Sequence, residues 1–106
     1  MPVGRTRAAG WQIGVSRTVP LTPEEVWSRL EHTECWLDEP ATDVRSHRRL
    51  DRIRVGWQDT IVQVAIRPAA TGTTIRFHQE RLPDAEARER QRDHWRGVLD
   101  RLFPDR

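Results

Sequence analysis

The side chains able to do acid–base, nucleophilic or metal chemistry are few: His32, His47, His78 and His94, one cysteine, Cys35, and the serines Ser16, Ser28 and Ser46. The histidines are scattered singly, with no His-x-His or Cys/His spacing of a metal site, so no metal or other cofactor is expected. No Gly-x-Ser-x-Gly context frames a serine, and Cys35 has no nucleophile signature around it. His78 beside Gln79 and Glu80 comes nearest to an acid–base pair. Adjacent strand residues point to opposite faces, however, so His78 and Gln79 cannot both line one pocket. His78 is therefore read as structural or solvated, and the chain as non-enzymatic. The carboxylates Glu86, Glu89, Asp93 and Asp100 alternate with arginines at helical spacing. They predict solvated pairs such as Glu86–Arg90 and Arg96–Asp100, each contributing about 0.2–0.5 kcal/mol.

These groups must be positioned by a few elements. In the last long stretch, Trp95, Val98, Leu99 and Leu102 fall at i, i+3, i+4 and i+7, the stripe of an amphipathic helix. Pro83 suits its first turn, Asp84 and Glu86 its positive end, and Pro104 its stop. Continuing the stripe toward the helix start brings Arg88 and Gln91 onto the same face. Gly97 lies about opposite the stripe, where it costs roughly 1 kcal/mol relative to Ala. It reads as neutral drift or as room for another chain. Thr22-Pro23-Glu24-Glu25 is a capping box with Pro at the first helical position, predicting a short helix that buries Val26, Trp27 and Leu30.

The remaining runs alternate. Trp11, Ile13, Val15, Arg17 and Val19 share one face of a strand, with Arg17 either snorkelling to water or facing an internal pocket. Four short runs follow between Asp43 and Glu80, joined by turns at Gln58-Asp59 and Pro68 to Gly72, which reads as an antiparallel meander. The expectation is an α+β domain over 11–103: an antiparallel sheet of about five strands packed on a long C-terminal helix, with one short N-terminal helix region. Residues 1–10 are expected to be a flexible N-terminus.

A chain of 106 residues is one domain by size, and 36% hydrophobic against 32% charged residues leaves enough for a modest core. All 18 cations are arginine, but 16 acidic residues are mixed among them for a net +2, so no nucleic-acid partner is expected. A single cysteine fits a reducing compartment, and the absence of an apolar run argues against a membrane span. The reading is cytoplasmic.

The order of motifs resembles a known family. Val15-Ser16-Arg17-Thr18-Val19 leading into Pro23-Glu24-Glu25-Val26-Trp27 resembles the opening of the START-like (SRPBCC) superfamily. The run Gly72 to Glu80, then His94-Trp95 and Leu99-Asp100-Arg101-Leu102, resembles the branch related to the C-terminal domain of the Hsp90 ATPase activator, as does Trp57 at its strand end. The resemblance covers roughly residues 11–103. It implies a helix-grip fold, a sheet gripping the C-terminal helix, whose members mostly bind small apolar or amphipathic molecules, some acting as cyclases or co-chaperones. Here the segment between Leu37 and Asp43 is too short for the strand the family has there, so the sheet is expected to lack a strand and one cavity wall.

The site expected from these readings is a groove between sheet and helix. Trp36, Trp57, Phe77 and Trp95 would line it against the alternative of plain core packing, Arg17 and Gln79 would be the polar groups that orient a ligand, and Arg88 and Gln91 would sit at the overhanging helix start. The expected function is non-enzymatic binding of a small hydrophobic ligand. The alternatives are an interaction module, homodimeric or co-chaperone-like, using the groove and a sheet edge, and a cyclase- or dehydratase-like enzyme.

Overall fold

The alternating runs form strands and the two periodic stretches form helices. The computed structural model describes residues 5–6, 10–37, 41 and 43–104. In chain order the elements are β1 (Arg5–Thr6), β2 (Gly10–Val19), α1 (Pro23–Leu30), a 3-10 turn (Thr33–Cys35), β3 (Asp43–Arg48), β4 (Arg52–Trp57), β5 (Thr60–Ala69), β6 (Gly72–Leu82) and α2 (Ala85–Leu102). The six strands make one antiparallel sheet in the order β1-β2-β6-β5-β4-β3. Five of them are substantial; β1 is a two-residue strand paired with Gly10 and Trp11. The rest of the expected flexible stretch 1–10 lies outside the described residues, as do 38–40 and 42, in the segment where a strand was expected to be lacking.

The β4–β5 link is the tight one expected, with Gln58 and Asp59 both at positive φ (49° and 61°), the backbone of a two-residue hairpin turn. Gly72 opens β6 at φ +150°, and a Cβ there would run into the Val19 carbonyl oxygen. Near the end of β6, Ile13 pairs with Gln79 but Trp11 pairs with Leu82, so β6 carries one extra residue. Arg81, at φ 69°, sits at this bulge, and Leu82 as well as Gln79 is buried.

Both helices share one core cluster with the inward residues of β2, β4, β5 and β6, so they cover the same face of the sheet. Helix α1 has the predicted capping box, Thr22 accepting from the Glu25 amide while Glu25 accepts from the Thr22 amide, and it buries Val26, Trp27 and Leu30. Helix α2 packs mainly on β2 and β6. It starts two residues later than expected. Pro83 lies outside it, and Asp84 is the N-cap, its carboxylate accepting from the Ala87 amide at 2.7 Å. The predicted Glu86–Arg90 and Arg96–Asp100 pairs are not formed. Glu89 pairs with Arg92 at 3.0 Å, and Asp100 pairs across to Arg17 on β2. Exposed side chains of this length choose among near-equal partners, so helical spacing alone does not decide them.

No helix among the described residues is long and apolar enough to cross a membrane.

Candidate functional site

Strand β6 supplies the floor of the site. Its alternation turns Ile75, Phe77 and Gln79 inward, and Gln79 is only 2% exposed. A buried amide is costly unless it is hydrogen-bonded, and here both its oxygen and its nitrogen are. Gln79 Oε1 accepts from Trp95 Nε1 (2.8 Å) and from Gln91 Nε2 (2.9 Å), both on α2. Its Nε2 donates to Thr60 Oγ1 (2.8 Å), whose hydroxyl donates onward to the Trp57 carbonyl. One side chain thus ties α2 to β6, β5 and the end of β4.

Aromatic rings surround this network. Phe77 and Trp95 stack at 4.9 Å between centroids and 12° between planes; Trp36 meets them edge-on at 5.4 and 6.2 Å, and Trp57 meets Trp95 at 5.9 Å. All four rings are at most 3% exposed, so they pack against one another and fill the layer between sheet and helix. Trp36 is carried by the single 3-10 turn, its Nε1 donating to the Leu30 carbonyl at 2.8 Å.

Toward the start of α2 the lining becomes polar. Gln91 is half-buried, and one turn earlier the Arg88 guanidinium lies 5.3 Å from the Trp11 ring centre. Of the eight residues expected at the site, Trp36, Trp57, Phe77, Gln79, Gln91 and Trp95 come together between the sheet and α2, and Arg88 lies one turn further toward the helix start, on Trp11. Arg17 does not join them. Its guanidinium is at the other end of α2, on the Asp100 carboxylate and the Phe103 carbonyl. There Arg29 donates to the Leu102 carbonyl (2.7 Å) and lies 5.4 Å from the Phe103 ring centre, while Arg101 donates to the Cys35 carbonyl (3.2 Å). Two residues of the site had not been singled out for it: Thr60, and His94, which stacks on Trp57 at 6.1 Å. Neither has a periodic signature, because both are placed by partners far away in sequence.

His78 lies on the opposite sheet face, as strand alternation requires. Its Nε2 is 2.9 Å from Gln12 Oε1 and its Nδ1 is 3.8 Å from Glu80. Burial pushes its pKa below the usual histidine value, outweighing the upward pull of Glu80, and Arg76 and Arg54 push in the same direction as burial. Among the described residues no group of three or more His, Cys, Asp or Glu is placed to hold a metal ion.

Comparison with solved structures gives the same architecture. A protein from Cytophaga hutchinsonii is 11% identical with a TM-score of 0.71, covering 91% of this chain and 93% of its own. An AHSA1-like protein from Aeromonas hydrophila is 16% identical with a TM-score of 0.65, covering 86% and 88%. An AHSA1-like protein from Rhizobium etli is 19% identical with a TM-score of 0.64, covering 91% and 82%. No family model matches the chain, and no curated protein matches it. The chain accordingly shares the fold of these AHSA1-like proteins, an antiparallel sheet with a short helix and a long C-terminal helix on one face, which is the α+β arrangement expected from the sequence.

Proposed function

We propose that the chain is a non-enzymatic binding domain that takes a small hydrophobic molecule between the sheet and the first half of α2. The observation that supports this is Gln79: a buried amide set among aromatic walls, with its acceptor shared between two donors of one helix. Ligand sites pair apolar walls with a few placed polar atoms, and this cluster has that composition. The layer is filled by the chain's own rings, so admission of a ligand requires one to move. Trp36 is the ring that follows a three-residue 3-10 turn and lies in neither a strand nor an α-helix, and Gln91, half-buried above Gln79, is the group a ligand's polar end would replace.

A second reading, a homodimer, is favoured by one feature of β3. Among the described residues this strand ends the sheet order, pairing with β4 on one side only, and its Val44 is 62% exposed although it lies opposite the buried Val55. Antiparallel pairing of two β3 strands would set Asp43 against Arg48 and Val44 against His47.

Native mass spectrometry of freshly purified protein, with a denaturing control, separates the two. A monomer carrying extra mass that denaturation releases is the expected result. A bare dimer would replace the first reading by the second, and a bare monomer would overturn both.

A further inference from the structure

The face of the sheet turned away from both helices is not uniformly polar. At its centre, over β2, β6 and β5, lies a depression of about 530 Å³ whose lining includes Ser16, Gln63, Ala65, Arg67, Arg76 and His78. It contains two arginines and no carboxylate. The Arg67 and Arg76 side chains have no ion pair or hydrogen bond among the described residues, nor does the Ser16 hydroxyl. Gln63 accepts from Arg54 through Oε1 at 3.4 Å, which leaves its NH2 group to donate. Small residues keep the floor low: Ala65 pairs with Arg76 across the β5–β6 ladder, and Gly14 leaves room for the Arg76 guanidinium, whose nitrogens would be 3.6 and 3.7 Å from a Cβ at that position.

We propose that this depression is a binding site for a small phosphate-bearing molecule. Forked guanidinium groups match phosphate oxygens two at a time, and the hydroxyl and amide donors beside them would meet the remaining oxygens. The volume suits a metabolite-sized ligand. The described outward residues of this face include no Trp or Phe, which single-stranded nucleic acids use as stacking platforms. The site lies across the sheet from Gln79, so it stands or falls independently of the ligand proposed there.

The test is an NMR titration of 15N-labelled protein with inorganic pyrophosphate at millimolar concentration. Saturable shifts are expected at the amides of Ser16, Ala65 and Thr74. In an Arg67→Gln/Arg76→Gln variant the affinity should fall by about tenfold or more, the loss of at least one charge-assisted hydrogen bond. In an Arg90→Gln/Arg92→Gln variant, which removes as much charge from the exposed face of α2, it should be unchanged. Ser16→Asp, which places a carboxylate among the donors, should abolish binding while leaving far-ultraviolet circular dichroism as in the wild type. Absence of saturable shifts would overturn the proposal. So would equal weakening by both arginine pairs, which would mean general attraction to a cationic surface, or binding of a single-stranded oligonucleotide where pyrophosphate fails.

Discussion

Gln79 on β6 and Trp95 on α2 are joined by a 2.8 Å hydrogen bond inside the core, with the Trp95 ring stacked on Phe77 two residues before Gln79. The bond fixes the axial position of the helix over the sheet. Apolar packing alone tolerates sliding, whereas an indole N–H with a single acceptor does not.

Replacing that acceptor should be costly out of proportion to its size. Gln79→Leu keeps the volume but leaves the Trp95 Nε1–H buried without a partner and releases Gln91. The expected destabilisation is about 1–3 kcal/mol. Urea unfolding should show a lower midpoint at unchanged slope. An unchanged midpoint would mean that the network contributes nothing net.

Trp36→Ala removes a fully buried ring from the aromatic quartet and should cost about 3–5 kcal/mol. If the fold survives, the void is lined by Phe77 and Trp95 and should accept a small apolar aromatic such as indole, read as a rise in Tm with added indole. A Trp36→Ala protein as stable as the wild type would show that the layer collapses to fill the space.

Much of this arrangement could be read from residue order. The Thr22–Glu25 box, the Trp95-Val98-Leu99 stripe and the inward alternation of Phe77 and Gln79 are local patterns, and each is where expected. Extending the stripe back put Arg88 and Gln91 on the helix face turned to the sheet, where they meet Trp11 and Gln79. What eluded local reading was set by departures from period. Leu82 lies beyond the alternating run that stops at Glu80, yet it ends β6, turned inward by the bulge at Arg81. Trp36 sits on one 3-10 turn, too short for any periodicity to announce its burial. Arg17 was legible as a cation on an apolar face, but its partners, Asp100 and Phe103, are 83 and 86 residues away.

Two glycines should respond oppositely to alanine. At Gly97 a Cβ meets nothing within 4 Å, so Gly97→Ala should stabilise by about 1 kcal/mol through helix propensity alone. At Gly72 the positive φ and the Val19 carbonyl leave no space, and Gly72→Ala should lower Tm markedly by distorting the β5–β6 turn. Thermal unfolding of the two variants side by side checks both signs. A destabilising Gly97→Ala would indicate that another surface approaches the helix there.

His78 gives stability a pH dependence of fixed sign. Its pKa in the native protein is below the usual 6.5, chiefly through burial. The unfolded chain therefore binds a proton at a pH where the native chain does not, and its contribution is complete above about pH 6.5 and is lost as pH falls below it. Glu80, Arg76 and Arg54 are the charged groups that act on the ring. His78→Gln should flatten this segment of the curve, so that wild type loses Tm relative to the variant between about pH 7.5 and about pH 5.5. A gap that stays constant with pH would refute the assignment.

The three guanidinium groups around the end of α2 act as guy lines on that end of the helix. Arg17, Arg29 and Arg101 tie it to β2, α1 and the 3-10 turn from three sides, whereas its earlier turns are held over the sheet by Gln91 and Trp95 on the Gln79 amide. The two ends are therefore held by different means, charged groups on main-chain carbonyls at one and a single buried amide at the other. A substitution at Gln79 should accordingly loosen the start of the helix while its seat at Phe103 stays in place.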